Sequence, residues 1–337
     1  MKMNMKKWFD DLRKAKTKKA LPILSFPAVT LMDITVKQLI SDSTLQAEGM
    51  KKVAERIPSA ASVGFMDLSV EAESFGSTIS VSDHEVPTVK GRIITCSEDA
   101  EALKIPEVGS ARTGLYINAI KNACETINDR PVFAGMIGPF SLAARLYDVS
   151  EIMMECYDDP DTVHVVLQKT TDFLISYAKA FRQNGANGVM IAEPVAGLLS
   201  TALEDEFSAP YIKQIVDAVQ DEEFSVIYHN CGDNVHNMLD SILSTGCAAY
   251  HFGNSSDMNE IMGKMPCDTV VMGNVDPVGI LRMGDTAKVR SATLELMEKC
   301  CKYPNFVISS GCDMPPLTPW ENIEAFFGAV DEFYENK

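Results

Sequence analysis

Eight short apolar runs, spread along the whole chain, are the feature that most restricts how it can fold. The runs occupy residues 20–26, 62–68, 131–138, 188–194, 224–230, 248–254, 269–275 and 306–312. Continuous apolar runs are typical of strands buried on both faces of a parallel sheet, and helix-periodic sequence separates most of these. Eight strands alternating with helices predict an α/β fold, a single (β/α)8 TIM-type barrel over residues 1–337.

A doubly wound open sheet is the alternative architecture for such a pattern. That fold usually carries a glycine-rich phosphate-binding turn after its first strand, and the stretch FPAVTLMD at 26–33 is not one. Residues 69–130 are too long for one crossover helix. We interpret them as an insertion after the second strand, made of a hairpin and a helix, that covers the barrel mouth.

The charge of the chain argues against several classes of partner. The formal net charge is −17 in 337 residues, which disfavours nucleic acid and anionic membrane, and no apolar run is long enough to span a bilayer. Residues 1–19 form a basic lead-in without the apolar centre of a secretory signal. Nine cysteines in no dense framework then predict a cytoplasmic protein with free thiols.

Three soft side chains are placed by this fold at one end of the barrel. His229 and Cys231 end the fifth predicted strand, and Cys312 ends the eighth. One imidazole and two thiolates suit zinc, and three protein ligands leave a position open for substrate. We therefore predict a catalytic zinc site. The alternative is a chance H-x-C pair with a buried cysteine, because free cysteines are commonly packing residues.

Further polar groups lie in or just after other predicted strands. They are Asp67, Glu193, Asn274, Asp276 and His251. Each is a candidate catalytic or substrate-binding residue that accepts a thiol proton, orients a ligand or completes the zinc site. The alternative for each is a buried cap or a hydrogen bond within the barrel. Glu193 ranks first among the carboxylates because it lies at the tip of its strand, directly before Pro194.

Several motifs together resemble one enzyme superfamily. They are DLSVEAESFG (67–76), IGPFSLAARL (137–146), GANGVMIAEPVAGLLS (185–200), YHNCGDN (228–234), VVMGNVDPVGIL (270–281) and SGCDMPPLTPWENIEAF (310–326). The chain resembles the uroporphyrinogen decarboxylase superfamily, and within it the methylcobamide:coenzyme M methyltransferases and related corrinoid-dependent methyltransferases. H-x-C with a distant G-C marks the zinc-containing branch. The resemblance implies that His229, Cys231 and Cys312 are the zinc ligands.

The resemblance also implies an activity. Members of this branch move a methyl group between a corrinoid and a thiol such as coenzyme M, or another small acceptor. No D-x-H-x-x-G segment for a bound cobalamin occurs here, so the corrinoid is expected on a partner protein.

Three other functions are open. A decarboxylase is disfavoured because the arginine-rich segment after its first strand is missing. A zinc methyltransferase from folate to homocysteine and a non-catalytic, zinc-bearing partner of a corrinoid protein are the others.

Overall fold

A curled parallel sheet forms the centre of the molecule. The computed structural model describes residues 3–335. Within them, seven parallel strands pair in the order β1 (Ser62–Val63), β4 (Val132–Ile137), β5 (Gly188–Ala192), β6 (Ser225–Asn230), β7 (Ala249–Phe252), β8 (Val270–Val275) and β9 (Phe306–Ser310). All seven fall inside predicted apolar runs. The strands are buried along their length because helices cover the outer face of the sheet.

The first predicted strand closes this sheet without forming a regular ladder. Ala20 O accepts a hydrogen bond from the backbone N–H of residue 60, which precedes β1, at 2.8 Å. On its other side, Leu21 N donates to the backbone oxygen of Ile308 in β9 at 3.0 Å. Pro22 has no N–H to give to a ladder, so the segment stays irregular. The barrel prediction is confirmed, with seven regular strands and one bridging segment.

Helices cover the barrel and complete the βα alternation. Within residues 3–335 the α-helices are α1 (Met5–Lys14), α2 (Ala28–Met32), α3 (Val36–Ile40), α4 (Ser43–Arg56), α5 (Val70–Ser74), α6 (Ser97–Ala102), α7 (Thr113–Thr126), α8 (Pro139–Tyr147), α9 (Val149–Asp158), α10 (Pro160–Gln183), α11 (Thr201–Phe207), α12 (Ala209–Val219), α13 (Leu239–Ser244), α14 (Met258–Lys264), α15 (Thr286–Cys300) and α16 (Trp320–Glu335). Short 3-10 turns span Ala196–Leu198 and Val235–Asn237, and a π-helical turn spans Pro277–Arg282. None of these helices is both long and apolar enough to cross a bilayer.

The predicted insertion contains the expected hairpin and helix. Strands β2 (Thr78–Ser80) and β3 (Thr88–Lys90) pair antiparallel. In the loop between them, the backbone oxygen of Asp83 accepts a hydrogen bond from Val36 N. Glu85 in the same loop forms an ion pair with Arg282 at 3.4 Å. Val36 follows the barrel-closing segment and Arg282 follows β8, so both contacts are made at the C-terminal end of the barrel. Helix α7 instead packs on α4 in the outer ring. That the insertion covers the mouth stays a prediction.

The basic N-terminal stretch forms a helix at the opposite end of the barrel. Helix α1 buries Met5 and Phe9 in a core whose other members come from the strands and the segments directly beside them, so this core lies inside the barrel. The Trp8 ring lies 5.9 Å from the ring of Phe133, and Met5 N donates to the backbone oxygen of Glu222, shortly before β6 begins. Helix α1 thus closes the N-terminal end with its apolar face.

Candidate metal centre

The three predicted zinc ligands meet at the C-terminal end of the barrel. His229 lies in β6, Cys231 follows that strand directly, and Cys312 lies two residues after β9. Their ligand atoms all lie within 4.8 Å of one another, and Cys312 Sγ is 3.4 Å from His229 Nε2. In residues 3–335, this is the single group of three or more His, Cys, Asp or Glu side chains that could hold a metal ion.

A glycine at the end of the neighbouring strand determines where Cys231 lies. A Cβ atom at Gly253, just after β7, would lie 2.5 Å from the Cα of Cys231. The Asn230 side chain holds the same turn, because its Oδ1 accepts from Gly232 N at 2.9 Å and its Nδ2 donates to the Tyr228 hydroxyl at 3.0 Å. The residues on either side of Cys231 are therefore fixed, which directs its sulfur toward His229.

A second glycine places Cys312. Gly311 N donates to the backbone oxygen of Val275 at 2.6 Å, and a Cβ at Gly311 would lie 2.7 Å from the backbone nitrogen of Asn254. On the other side of Cys312, Met314 N donates to Ile23 O at 3.1 Å. The segment after β9 is thus held between the end of β8 and the segment that closes the barrel.

His251 lies beneath the candidate metal centre and orients the imidazole of His229. His229 and His251 are register partners on β6 and β7, and their Nδ1 atoms are 2.8 Å apart. His251 Nε2 is 2.7 Å from Ser309 Oγ, which donates its own hydrogen to Leu21 O at 2.8 Å. Because that hydroxyl hydrogen is already used, His251 Nε2 is the donor to Ser309.

The hydrogen-bond directions follow from this chain. Burial lowers the pKa of His251 well below its usual value, so this imidazole is neutral and its Nδ1 can only accept. His229 Nδ1 must then donate, which leaves the lone pair of His229 Nε2 facing the two sulfurs. A ligand histidine is commonly fixed by such a bond at its other ring nitrogen. His251 is fully buried and does not line the cavity at the site.

The two thiols interact directly. A hydrogen bond from Cys312 lowers the pKa of Cys231, with a smaller contribution from His229. The same contact, together with burial, raises the pKa of Cys312 well above its usual value. The two sulfurs thus lie close enough to share a proton, as expected for side chains that can bind one ion.

A small cavity of about 70 Å³ adjoins the three ligands. Its lining consists of Ile23, Met66, Leu68, Ala192, Pro194, His229, Cys231, Cys312 and Asp313. One carboxyl oxygen of Asp313, Oδ1, is buried and has no hydrogen-bond partner within residues 3–335. The cavity can hold a small molecule with an apolar part, with its reactive atom against the sulfurs.

The family model for uroporphyrinogen decarboxylase (URO-D) matches residues 24–333, nearly the whole barrel. The chain belongs to the uroporphyrinogen decarboxylase family. Two methylcobamide:CoM methyltransferases named MtbA are similar to it. The protein from Methanosarcina mazei is 29% identical over 90% of this chain and 92% of its own length. The protein from Methanosarcina acetivorans is 30% identical over 77% of this chain and 75% of its own length.

A solved structure has the same fold. A methyltransferase from Methanosarcina mazei superposes with a TM-score of 0.86 at 23% identity, covering 98% of this chain and 99% of that chain. At this identity the match supports the barrel alone. The sequence relatives confirm the methyltransferase class and the predicted branch of the uroporphyrinogen decarboxylase family.

The Glu193 carboxylate caps helix α8 and does not line the cavity. Its carboxylate accepts from the backbone nitrogens of Phe140 and Ser141 at 3.0 and 2.9 Å, and from Ser141 Oγ at 2.7 Å. These groups begin helix α8, where a carboxylate is favoured by the helix dipole. Burial nevertheless raises the pKa of Glu193 to about 7, against the lowering effect of these bonds. Its buried position matches the structural alternative considered for it.

Asp67 belongs to a buried ion-pair network. Its Oδ2 pairs with Arg112 Nη1 and accepts from the Tyr116 hydroxyl at 2.8 Å. Ser69 donates to the other oxygen through its backbone nitrogen and its hydroxyl. Arg112 also pairs with Glu73 at 2.6 Å. The network ties α7 to the end of β1, next to the cavity residues 66 and 68 but outside the lining.

Asn274 and Asp276 hold loops at the same end of the barrel. Asn274 Nδ2 donates to the backbone oxygens of Gly253 and Ser256, each at 2.8 Å, so it supports the glycine against which Cys231 packs. Asp276 accepts from the backbone nitrogens of Val278 and Gly279 at 2.9 Å and caps the turn that follows β8. Neither side chain lines the cavity. A direct catalytic role for Asp67, Glu193, Asn274, Asp276 or His251 stays a prediction.

Apart from the apolar lining residues, two polar residues of the site were absent from the sequence prediction. Ser309 lies in a buried strand, where nothing in the sequence distinguishes it from a packing residue. Asp313 directly follows Cys312, and an acidic residue beside a candidate metal ligand was a usable signal.

Proposed function

We propose that this chain is a zinc-dependent methyltransferase that moves a methyl group between a corrinoid carried by a partner protein and a small thiol. One observation carries the proposal: His229, Cys231 and Cys312 converge beside a cavity at the C-terminal end of the barrel. Active sites of this fold lie at that end. The similarity to MtbA proteins supports the corrinoid as methyl donor.

The three side chains fit zinc in the type of their ligand atoms and in the distances between those atoms. In a tetrahedral site with Zn–S of about 2.3 Å and Zn–N of about 2.0 Å, neighbouring ligand atoms lie about 3.5–3.8 Å apart. The 3.4 Å between Cys312 Sγ and His229 Nε2 is close to this value. Zinc bound here would supply one function, holding the acceptor sulfur as a thiolate at neutral pH. Sulfur ligands disfavour magnesium and calcium.

The candidate ligands and the apolar lining would together keep the substrate thiolate nucleophilic. Cys231 and Cys312 as thiolates and His229 as a neutral imidazole would balance the charge of a bound divalent cation, so a substrate thiolate held there would keep its negative charge. The walls of the cavity at Ile23, Met66 and Ala192 are apolar, so the substrate sulfur would have hydrocarbon groups beside it. In the transfer, a sulfur–carbon bond forms and the carbon–cobalt bond breaks. The electron pair stays on cobalt, which passes from Co(III) to Co(I), and the thiol proton leaves to solvent.

The rim of the mouth suits a protein partner. Exposed apolar side chains follow the C-terminal ends of three strands, namely Leu198 after β5, Val278 and Met283 after β8, and Leu317 after β9. Exposed apolar groups around a functional opening are typical of interaction surfaces. A corrinoid held by a docked protein would reach the cavity from this side.

The proposal is tested by metal analysis and by a demethylation assay. We expect about one zinc per chain in the purified protein and its loss in Cys312→Ser. Cys267→Ser is the matched control, because Cys267 is exposed and lies outside the site. Methylcobalamin is then mixed with the protein and thiols, and the visible spectrum reports loss of methyl.

Each alternative has its own outcome in these assays. Zinc without demethylation, even with a corrinoid protein supplied, would support the non-catalytic partner and contradict the proposal. Methyl transfer from methyltetrahydrofolate to homocysteine without any corrinoid would support the folate enzyme. Consumption of uroporphyrinogen would support a decarboxylase. Full zinc occupancy in Cys312→Ser would contradict the assignment of that ligand.

A further inference from the structure

A second cavity, of about 170 Å³, lies outside the candidate metal centre. It is formed between the segment that follows the β2–β3 hairpin and the helices α8, α9 and α10. Three carboxylates and one guanidinium give its lining an excess of negative charge. The lining shares no residue with the cavity at the candidate metal centre and consists of Arg92, Ile94, Thr95, Cys96, Ser97, Tyr147, Glu151, Glu155, Asp159 and Thr162.

The groups of this lining that could attract an anion are already engaged. Arg92 Nη1 pairs with Glu151 Oε2 at 2.8 Å. Helix α10 begins beside the cavity, but Asp159 caps it by accepting from the backbone nitrogen and the hydroxyl of Thr162 at 3.3 and 2.6 Å. The positive end of the helix dipole is thus matched by a carboxylate of the chain itself. An anionic ligand would find neither a free cation nor an uncapped helix end.

Glu155 and Tyr147 keep polar atoms that no other residue engages. Within residues 3–335, the half-buried Glu155 carboxylate has neither a hydrogen bond nor an ion pair. Tyr147 is only 4% exposed, and its hydroxyl has no hydrogen-bond partner in the same part of the chain. Burial, and after it the charges of Glu155 and Asp159, raise the pKa of Tyr147, so the hydroxyl lies on the side of these two carboxylates. Buried hydroxyl groups usually meet a protein group, water or a ligand.

The chemistry of the lining selects among cations. In the described residues, three or more His, Cys, Asp or Glu side chains converge closely enough for a metal ion at the candidate metal centre alone, so this cavity does not suit one. Carboxylates and hydroxyl oxygens accept hydrogen bonds from N–H groups. A protonated primary amine offers three such donors together with its charge, whereas a quaternary ammonium offers none. Ile94 adds an apolar wall against which a short carbon chain can pack.

We propose that this cavity binds the ammonium group of a primary amine, with Glu155 as the main contact. The ammonium donates to Glu155 and to Asp159, whose oxygens keep free lone pairs beside Thr162, and the Tyr147 hydroxyl accepts the third hydrogen. The amine is either a free small molecule or the side chain of a lysine on another protein, since both offer the same group. The site is separate from the proposed methyl transfer, and neither depends on the other.

The test compares four-carbon ligands that differ in their polar group. They are butylammonium, tetramethylammonium, 1-butanol and butyrate, titrated by calorimetry and NMR at neutral pH and constant ionic strength. We expect one butylammonium per chain, bound at least about tenfold more tightly than the other three ligands. Glu155→Gln should weaken butylammonium at least about tenfold, because hydrogen bonds to charged groups are the strong ones. An unchanged zinc content would show that this variant is folded.

Matched substitutions separate recognition in the cavity from general charge attraction. Asp158→Asn removes an exposed carboxylate of α9 outside the cavity and should change the affinity by less than about twofold. Tyr147→Phe removes only the hydroxyl and should weaken butylammonium about threefold or more. Tyr157→Phe is its control, because Tyr157 is exposed on the same helix and does not line the cavity.

A further ligand, Nα-acetyl-lysine N-methylamide, decides between the two sources of the amine. Binding at least as tight as that of butylammonium would support a lysine side chain. Weaker binding, with peptide groups excluded from the cavity, would support a free amine.

Three results would overturn the proposal. The first is equal binding of butylammonium and tetramethylammonium, since charge alone would then account for the attraction. The second is an affinity in Glu155→Gln that equals that of Asp158→Asn. The third is the absence of saturable butylammonium binding at millimolar concentrations. None of them bears on zinc content or demethylation, so the proposed methyltransferase function is tested independently.

Discussion

His229 Nδ1 lies 2.8 Å from His251 Nδ1, and the two rings meet nearly edge to face with an interplanar angle of 74°. This contact links His229, a candidate metal ligand, to a chain of hydrogen bonds that ends at the backbone oxygen of Leu21 in the barrel-closing segment. Only one tautomer of His229 satisfies the chain. The barrel interior thus prepares the ligand nitrogen before any ion binds.

Replacing His251 with phenylalanine should weaken zinc binding. The change leaves His229 Nδ1–H without its acceptor, so the ring loses its fixed tautomer and orientation. Loss of such an outer contact typically lowers metal affinity about 10–100-fold. Competition with a chromophoric chelator measures the affinity. His236→Gln is the control, because His236 is exposed and lies away from the site. An affinity within about twofold of wild type would contradict the role given to His251.

Gly253→Ala should displace Cys231. The added Cβ would lie 2.5 Å from Cys231 Cα, so backbone must move. We expect loss of zinc together with a destabilisation of about 1–3 kcal/mol, as is usual for overpacking. Metal analysis and urea denaturation measure the two effects. Gly328→Ala is the matched control. Gly328 lies in α16, where alanine is a better helix former than glycine, and an added Cβ there would have no neighbour within 4 Å. Normal zinc content in Gly253→Ala would disprove the packing argument.

Arg112→Met should destabilise the fold through Asp67. The substitution leaves that carboxylate buried without its cation, which typically costs about 3–5 kcal/mol. The double variant Asp67→Asn/Arg112→Met should recover much of this loss, because the uncompensated charge is then gone. Urea denaturation of both variants measures the free energy of unfolding. Arg56→Met is the comparison for an exposed pair, with an expected loss below about 1 kcal/mol. Equal losses in the single and double variants would contradict this account.

Glu204 should make the stability of the protein fall as pH rises. Burial, with a smaller contribution from the nearby Glu193, raises the pKa of Glu204 to about 8, well above its value of 4.5 when unfolded. Between these values the folded state binds more protons than the unfolded state, so stability is full below about pH 4.5 and is lost as pH approaches and passes 8.

The variant Glu204→Gln should flatten this dependence. Because glutamine has no charge to bury, we expect a gain on the order of a few kcal/mol at pH 8 and little change at pH 4.5. Urea denaturation across this pH range measures the effect. Asp205→Asn is the control on the same helix, because Asp205 is exposed. A gain of equal size at both pH values would show that packing, and not charge, limits stability at Glu204.

The barrel and the meeting of the three candidate metal ligands could be predicted because their signals are local. A strand buried on both faces must be apolar along its length, and that property is readable in any short window of sequence. The parallel barrel then brings all C-terminal strand ends to one mouth, so His229, Cys231 and Cys312 were expected to meet. Their geometric convergence agrees with this expectation.

The sequence alone therefore determined the alternation of elements, the end of the barrel that carries the site, and the three soft side chains there. Only the tertiary structure decided that His251 lies under His229, that Glu193 caps a helix, and that Asp313 lines the cavity. The physical reason is that burial and periodicity belong to single segments, whereas strand register and loop packing set which polar atoms meet. The same strand-end position can thus hold a helix cap at Glu193 or a ligand at Cys231, depending on which neighbours the closed barrel supplies.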